Sequence, residues 1–457
     1  MTGCIMCRLE VRSMKKATFE RGVHPHAHKG ISKDKPIEKL KAPAVVIIPL
    51  SQHVGPPCEA TVSVGDRVLV GQKIADNSAP ICAPIHASVS GTVKDIGMYN
   101  SLGGAKAKAI VIENDFQEER YPELVPHASL SEVSSEEIID IAREAGLVGM
   151  GGATFPTAAK IRSGLGKVEF CIINAAECEP YLTADYRLMM EQSGDVIEGL
   201  LALMKAFSLD VGYIGVEDNK PDAIALLTEA AAKADKKIEV VSLHTKYPQG
   251  GEKQLIFAIT GREVPSGKLP AEVGAAVFNL GTCISLAQAI KTGMPCVERV
   301  VTVTGHAVNE PKNLLIKVGT TFEYILNEGC AGITEATTKV ISGGPMMGVA
   351  QHTLDVPVTK GTSGILVLTK DQDKTVKTPT CIRCGKCIGA CPMGLLPCYM
   401  YLYGNKQNLE GAEEYNTMDC IECGACTYVC PGRLHLVQTF RVTKLRITEA
   451  RRAAANK

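Results

Sequence analysis

Nine of the eighteen cysteines in this 457-residue chain lie between Cys381 and Cys430, and eight of them form one pattern twice. In each copy, three cysteines are separated from one another by two residues. A fourth cysteine follows after three more residues and directly precedes a proline. The copies run from residue 381 to 392 and from residue 420 to 431. Any fold of this part of the chain must therefore bring together two sets of four sulfur ligands.

The spacing is typical of bacterial ferredoxins with two clusters, in which the fourth cysteine of each run ligates the other cluster. The predicted pairing is therefore crossed. One [4Fe-4S] cluster takes Cys381, Cys384, Cys387 and Cys430, and the second takes Cys420, Cys423, Cys426 and Cys391. The alternative is a pair of structural zinc sites. Tetrahedral zinc, however, requires neither a third closely spaced cysteine in each run nor the repeated Cys-Pro. Cys398 is left over and is interpreted as a small buried residue.

The overall composition excludes several classes of protein. Lys+Arg and Asp+Glu both number 49, whereas a protein that neutralises nucleic-acid phosphates is expected to be basic. No stretch of about 18 apolar residues is present, so we expect no transmembrane segment. The N-terminus lacks the pattern of a secretory signal, which predicts a cytosolic chain whose cysteines are reduced.

A glycine-rich segment follows a predicted helix that begins with a Ser134–Glu137 capping box and stops at Gly146. Backbone amides in such a loop can approach a phosphate or a flat ring, and the helix after it favours negative charge at its start. The signal is weak on its own and is compatible with nucleotide or flavin. The candidate residues are Gly146, Gly149, Gly151, Gly152, Ala153, Phe155 and Lys160.

The apolar run from Val168 to Ile173 breaks at Asn174 and presents Glu177 and Glu179. At the carboxyl end of a strand these acids could bind a nucleotide, or they could be solvated loop residues. Alternation of strand, glycine turn and helix over residues 136–295 predicts a Rossmann-like α/β domain. Two further turns in it carry Tyr247, Gly250, Gly251 and Glu252, and then Asn279, Gly281 and Thr282 before a helix from Ile284 to Ile290.

Taken in this order, the motifs resemble the C subunits of the Rnf electron-transport complexes and, more distantly, the NADH-oxidising flavin subunit of respiratory complex I. The resemblance covers nearly the whole chain. It begins at GVHPHAHKG (22–30), continues through HASVSGTV (86–93), the glycine loop, NAAECEPY and YPQGGEKQL, and ends at the double cysteine pattern.

The resemblance implies that the glycine loop and Lys160 hold FMN, with Asn174 and Asn279 nearby. It also implies that three acids border the flavin and the nicotinamide nucleotide, and that two residues of the YPQGG turn shape the same pocket. The acids are Glu177, Glu179 and Glu252, and the turn residues are Tyr247 and Gly250. The chain departs from the complex I pattern at Ala176, Cys178 and Gly251.

The expected fold class is multidomain α/β and β. The predicted parts are an N-terminal extension (1–40), a lipoyl-like barrel-sandwich hybrid without the modified lysine (41–115), a linker (116–135), a Rossmann-like FMN and NADH domain (136–295), a β-grasp SLBB module (296–345), a connecting segment (346–375), a ferredoxin-like helical domain with two [4Fe-4S] clusters (376–445) and a tail (446–457). We expect the barrel to dock rather than to carry a cofactor.

By this resemblance the chain is a peripheral subunit on the cytoplasmic side of the plasma membrane. It would pass electrons between NADH, FMN and two clusters, reversibly, within an ion-translocating NADH:ferredoxin oxidoreductase whose membrane subunits are its partners. The alternatives are a stand-alone reductase of the cobalamin-reductase type, a relay without NADH activity, and a lipoyl-type carrier, for which only Lys73 is available.

Two groups of residues outside these motifs could bind metals. His24, His26 and His28 alternate and would share one face of a strand, although an ordered loop explains them equally well. Cys4 and Cys7 lie near the chain end and are expected to be frayed. The remaining cysteines show no ligand spacing and are interpreted as small core residues; they are Cys58, Cys82, Cys171, Cys283, Cys296 and Cys330.

Overall fold

The computed structural model describes residues 17–373 and 379–455, so Cys4 and Cys7 lie outside the described residues. Its first part is a sandwich of two small antiparallel sheets, with strand orders β2-β8-β7-β4 and β3-β5-β6. Aliphatic residues of both sheets close its core. The strands are β1 (Ile37–Lys39), β2 (Val45–Pro49), β3 (Glu59–Ala60), β4 (Arg67–Val68), β5 (Lys73–Asp76), β6 (Ile85–His86), β7 (Gly91–Asn100) and β8 (Lys106–Asn114).

A four-stranded parallel sheet with the order β11-β10-β9-β12 forms the centre of the next part, and helices cover it. The capping box of Ser134 and Glu137 is present at the start of the first helix, as predicted. The elements are α1 (Ser135–Glu144), α2 (Thr157–Gly164), β9 (Phe170–Asn174), α3 (Ala184–Glu191), α4 (Ser193–Phe207), β10 (Val211–Glu217), α5 (Pro221–Ala231), β11 (Lys237–Leu243), α6 (Glu252–Thr260), β12 (Ala275–Asn279) and α7 (Leu280–Thr292).

The start of α7 differs from the sequence prediction. The helix begins at Leu280 rather than Ile284, because the Asn279 side chain accepts a hydrogen bond from the Gly281 amide and caps it. Gly281 and Thr282 therefore lie in the first helical turn and not in a preceding loop.

The third part is a six-stranded mixed sheet with the order β1-β14-β13-β17-β15-β16. Strand β1 comes from the N-terminal segment and pairs in parallel with β14. The sheet also continues past residue 345, since β16 and β17 pair with β15. Its remaining elements are β13 (Glu298–Thr304), β14 (Lys312–Lys317), α8 (Phe322–Tyr324), which continues into a π-helical turn (Ile325–Gly329), β15 (Thr337–Ser342), β16 (Val349–Gln351) and β17 (Gly364–Thr369).

The cysteine-rich part is helical, and residues 379–455 contain no strand. Its last helix packs on α10 and α11 and buries Leu436, Val437 and Phe440. No described helix has both the length and the apolar character needed to cross a membrane. The helices are α9 (Lys386–Ala390), α10 (Pro397–Asn405), α11 (Leu409–Glu414), α12 (Ala425–Tyr428) and α13 (Leu436–Ala455).

Helix α4 contains two glycines in very different surroundings, which gives a matched test of the packing. A Cβ on Gly199 would lie 2.1 Å from the Cys283 carbonyl oxygen of α7, whereas a Cβ on Gly194 would have no neighbour within 4 Å. We expect Gly199→Ala to cost about 1–3 kcal/mol through overpacking and Gly194→Ala to be neutral or mildly stabilising. Thermal unfolding midpoints of the two variants measure the difference, and equal midpoints would contradict the close approach of α4 and α7.

Candidate functional site

The strand order of the parallel sheet creates the candidate site. The chain adds β10 and β11 on one side of β9 and then returns to add β12 on its other side, so the strand order switches between β9 and β12. Asn174 and Asn279 end these two strands and are direct partners in the β9–β12 register. In open α/β sheets, ligands bind outside the carboxyl ends of the strands at such a switch in strand order. The two asparagines named by the sequence analysis therefore lie on either side of this crevice.

The glycine loop lies over the same crevice. Thr282 holds the loop in place with two hydrogen bonds. Its hydroxyl donates to the Val148 carbonyl (2.9 Å) and accepts from the Met150 amide (3.0 Å). A Cβ on Gly151 would lie only 3.0 Å from Asn279 Nδ2, so a side chain here would crowd the loop against the end of β12. The contacts of Thr282 explain why the loop stays close to α7.

Helix α2 begins directly after the loop and presents Lys160 near the sheet. The Lys160 ammonium forms an ion pair with Glu252 at the start of α6 (2.6 Å) and lies 5.5 Å from the centre of the Phe278 ring. Both partners are partly exposed. Thr157, at the first position of α2, has a buried hydroxyl without a hydrogen-bond partner.

The YPQGG turn connects this crevice to the cysteine-rich part. Asn174 Nδ2 donates to the Gly250 carbonyl (2.8 Å), and the Gly250 amide donates to Cys178 Sγ (3.2 Å). The buried Tyr247 hydroxyl, at the other end of the turn, donates to the Cys423 carbonyl (2.6 Å). Only two residues separate Gly250, which contacts β9, from Tyr247, which contacts a cluster loop.

Two predicted acids make internal contacts. Glu177 accepts from the Asp185 amide (2.7 Å) at the start of α3 and pairs with the Lys29 ammonium (3.2 Å). Glu179 accepts from the amides of Met346 (2.7 Å) and Met347 (3.0 Å). Burial raises the pKa of Glu179, although these amides favour its charged form. The observed role of both carboxylates is to connect β9 to neighbouring segments.

The sequence analysis missed Asp185 and Arg299, which lie behind the asparagines. Asn279 Nδ2 donates to Asp185 (3.2 Å), and Arg299 Nη2 donates to the Met150 carbonyl (2.8 Å) in the glycine loop. Burial and the nearby Glu177 carboxylate raise the pKa of Asp185 to about 6. The signal for Arg299 was available, because a charged residue in the apolar run VERVVTV needs a partner when it is buried.

The crossed pairing of the cluster cysteines stays a prediction, and the structure shows which thiols lie near one another. Cys391 lies with the second run: burial, and then the thiols of Cys420, Cys423 and Cys391, raise the pKa of Cys426. Burial, and then the thiols of Cys398 and Cys430, raise the pKa of Cys387 to about 11. A cavity enclosing about 330 Å³ is lined by four cysteines and by apolar residues; the cysteines are Cys391, Cys420, Cys423 and Cys426.

The spacing of these thiols also bears on the zinc alternative. Sulfurs that share one tetrahedral zinc ion lie about 3.8 Å apart. Within residues 379–455, no three of the cysteine sulfurs lie within 4.8 Å of one another. The arrangement is therefore too open for single zinc ions. The interpretation of Cys398 as a buried residue was wrong, because it is partly exposed and its thiol hydrogen-bonds Cys387.

The alternating histidines form an aromatic cluster in a loop. The rings of His26 and His28 are 4.1 Å apart, and His28 stacks on Tyr181 at 4.5 Å. Residues 24–28 form no strand, and in the described part of the chain their ring nitrogens belong to no group spaced like metal ligands. The geometry agrees with the ordered-loop interpretation.

The residues of the crevice fit an anionic flavin nucleotide. Glycines without side chains line the loop, Lys160 supplies a cation, and the buried Thr157 hydroxyl is free to bond a phosphate at the start of α2. The cysteine-rich part supplies two sets of soft thiolate ligands, which suit iron–sulfur clusters. Together, the fold and site define an iron–sulfur flavoprotein with an N-terminal barrel module.

Comparison with protein families assigns each part of the chain. Residues 17–117 match the RnfC barrel-sandwich hybrid domain, and residues 142–288 match the Nuo51 FMN-binding domain. Residues 300–350 match the SLBB domain, and residues 374–431 match the 4Fe-4S dicluster domain. The predicted fold class and cofactors are confirmed by these matches.

Relatives similar to the whole chain are C subunits of ion-translocating oxidoreductase complexes. One is the C subunit of the proton-translocating ferredoxin:NAD(+) oxidoreductase of Clostridium ljungdahlii, 49% identical over 93% of this chain and 93% of that protein. The Na(+)-translocating counterpart of Acetobacterium woodii is 45% identical over 96% and 99%. The C subunit of the Vibrio cholerae ion-translocating oxidoreductase is 40% identical over 90% of this chain and 53% of that longer protein.

The chain belongs to the RnfC family, the C subunits of ion-translocating ferredoxin:NAD⁺ oxidoreductase complexes. The resemblance seen in the sequence is confirmed. The family match to the FMN-binding domain of Nuo51 also confirms the more distant relation to complex I.

The buried Asp185 carboxyl makes the stability of the flavin domain depend on pH. Because its pKa in the folded chain, about 6, lies above the ordinary 3.8, the folded state binds the proton more tightly. The resulting stabilisation is complete below about pH 4 and is lost as the pH rises through 6, a loss of about 3 kcal/mol.

We therefore expect Asp185→Asn to stabilise the protein at pH 8 and to have much less effect at pH 4. Thermal unfolding midpoints at the two pH values measure this, with the exposed Asp235→Asn as the control. The same difference between variant and wild type at both pH values would contradict the assignment.

Proposed function

We propose that this chain is the NADH-oxidising input arm of its complex, and that it works reversibly. When bound, the flavin accepts a hydride from NADH as two electrons, and the two clusters carry electrons one at a time. The residues of the chain bind and orient these groups. Hydride transfer requires no protein acid or base, so no catalytic side chain is assigned.

The observation that carries the proposal is the contact between the flavin crevice and one cysteine loop. Tyr247 bonds the Cys423 carbonyl from within the turn that also contacts Asn174. Val23, Tyr247, Ala390, Cys423 and Ala425 form one buried apolar cluster, which Cys178 joins. This apolar packing joins the crevice directly to one cysteine loop.

The two cysteine sets differ in exposure, which gives the proposed path a direction. Cys423 and Cys426 are buried, whereas Cys381 and Cys384 are exposed. We therefore assign the set around Cys423 as the one next to the flavin and the set around Cys381 as the one that faces partner subunits. Reverse transfer, toward NAD⁺, would follow the same residues in the opposite order.

The site residues follow from the same geometry. We propose that the glycine loop from Gly146 to Phe155, with α2 and Lys160, holds the flavin phosphate, and that Asn174, Asn279 and Thr282 hold the loop and the ring side of the crevice. Tyr247, Gly250, Gly251 and Glu252 would border the nicotinamide side. Glu177 and Glu179 would act by positioning β9, as their internal contacts indicate.

The proposed domain division has residues 136–295 as the flavin unit and residues 376–445 as the cluster unit, and it extends the SLBB module beyond residue 345 to include β16 and β17. The proposed location is the cytoplasmic side of the plasma membrane, with the chain attached through membrane-embedded partner subunits. The names of the relatives support this assembly. Lys73 is held on strand β5 by Asp76 and Glu144, which argues against a swinging lipoyl-type arm.

Anaerobic visible spectroscopy of the reconstituted chain tests the proposal. With about eight irons bound, stoichiometric NADH should bleach the flavin and then the broad cluster absorbance. Eight irons and bound flavin without any response to NADH would reject the proposal and leave the relay alternative. Zinc in place of iron would remove the redox assignment.

The role of Lys160 has a direct variant test. We expect Lys160→Met to weaken FMN binding about 10- to 100-fold, because a hydrogen bond to a charged group contributes about 1.5–3 kcal/mol. The partly exposed Lys253, which bonds only the Pro265 carbonyl among described residues, provides the control as Lys253→Met. Fluorescence titration with FMN compares the two, and unchanged affinity in Lys160→Met would contradict the assignment.

The crossed pairing of cysteines predicts how iron is lost. Cys430→Ser should remove about half of the iron by damaging the exposed cluster, while Cys398→Ser should keep about eight irons. Iron analysis and electron paramagnetic resonance of the reduced proteins distinguish the two variants. Loss of the buried cluster's signal in Cys430→Ser would indicate uncrossed pairing.

A further inference from the structure

Three potential metal ligands meet in the core of the barrel module, far from the ferredoxin pattern in sequence. His53, Cys58 and Cys82 are 7%, 3% and 2% exposed. Their ligand atoms all lie within 4.8 Å of one another, and no other such group of three occurs in residues 17–373 or 379–455. The sequence shows no signal for it, because 24 residues separate the two cysteines.

The distances match those of a single tetrahedral ion. Cys58 Sγ lies 3.7 Å from Cys82 Sγ and 3.5 Å from His53 Nε2. With Zn–S bonds of about 2.3 Å and Zn–N bonds of about 2.0–2.1 Å, tetrahedral geometry separates two sulfurs by about 3.8 Å and a sulfur from a nitrogen by about 3.5–3.6 Å. Two of the three separations thus match a zinc tetrahedron, and the third pair, Cys82 and His53, lies within 4.8 Å.

The imidazole of His53 is oriented for this role by its second nitrogen. Its Nδ1 lies 3.0 Å from the Val54 carbonyl, which can only accept a hydrogen bond. The Nδ1 atom therefore carries the proton, and the Nε2 lone pair points toward the sulfurs. A backbone carbonyl on the remote nitrogen is the usual support of a metal-bound histidine. Burial lowers the pKa of His53, which also favours the neutral ligand form.

A buried cation lies beside the two thiols. The Lys360 side chain is 1% exposed and donates to the carbonyls of Pro84 and Gly146. No carboxylate of the described residues lies within ion-pair distance of Lys360. Asp76, whose Oδ1 lies 3.7 Å from Cys82 Sγ, is neutralised by Arg143 (2.8 Å). A buried cation beside two thiols stabilises their deprotonated form.

We propose that His53, Cys58 and Cys82 bind one Zn²⁺ ion, with the fourth position open to water on the side of Asp76. The two thiols each lose one proton to solvent, so two thiolates balance the charge of the ion, and the imidazole binds as a neutral ligand. No electron transfer is involved. Three protein ligands with one open position is the ligand number found in zinc sites that keep a bound water.

The state without metal also fits this proposal. A cysteine binds zinc as the thiolate, so a thiol without metal carries a proton that must leave. Zinc must displace that proton, and its affinity should therefore rise with pH. The site is independent of the proposed redox function, because none of its ligands touches the cysteines of the clusters.

The position of the ion gives it a structural consequence. The Val54 amide donates to the Thr154 carbonyl (3.3 Å) of the glycine loop, directly after the His53 ligand. On the other side, Lys360 joins Pro84, two residues after Cys82, to Gly146 at the start of that loop. The ion would therefore link the two barrel segments, around Val54 and around Pro84, that contact the glycine loop.

Metal analysis of the full chain with its clusters tests the proposal. We expect about one zinc in addition to about eight irons. Zinc X-ray absorption should show two sulfurs at about 2.3 Å and lighter ligands at about 2.0–2.1 Å. Four sulfur ligands would instead indicate zinc in the ferredoxin loops and would overturn the proposal.

Matched variants locate the ion. Cys58→Ser combined with Cys82→Ser should lose the zinc and keep the iron, whereas Cys330→Ser, at another fully buried thiol, should keep both. If the double variant fails to fold, His53→Gln should lower zinc affinity at least tenfold in competition with a chromophoric chelator. Unchanged zinc content in these variants would overturn the proposal. So would a mass of the isolated chain 2 Da below that of the reduced chain, caused by a Cys58–Cys82 disulfide.

Discussion

The hydrogen bond from the Tyr247 hydroxyl to the Cys423 carbonyl is the contact on which the organisation of this protein depends. It joins the flavin crevice and the cysteine loops through one buried ring. The neighbouring residues of the same turn are held by Asn174 and Cys178, so the position of Tyr247 follows from the end of β9. A shift of the sheet relative to the cluster part would leave a buried hydroxyl unsatisfied, which is costly.

The other modules reinforce this arrangement through buried polar contacts rather than through one continuous apolar core. Glu179 accepts from the Met346 and Met347 amides of the third sheet, and Gly424 of the cluster loop packs on the Met346 carbonyl. Lys360 joins the same sheet to the barrel and to the start of the glycine loop. The glycine loop is therefore held from three directions, which suits a loop that must present its backbone to a ligand.

Much of the candidate site was predictable because its signals are local. The capping box at Ser134, the glycine turn before Glu252 and the two cysteine runs each depend on residues within one turn or loop. The start of α7 was predicted four residues too late, because Asn279 was interpreted as a ligand residue and its capping role was overlooked. Asp185 was missed because only the register of β9 with β12 and the packing of α3 bring it to Asn279.

The sequence by itself determined the ligand chemistry and the family, since cysteine spacing and ordered motifs are properties of the chain. Tertiary structure alone decided which groups meet. It brought Asn174 opposite Asn279, Tyr247 onto Cys423, and His53 beside Cys58 and Cys82. The physical reason is that each of these contacts joins residues distant in the chain, and their distances follow from sheet register and core packing, which no local pattern encodes.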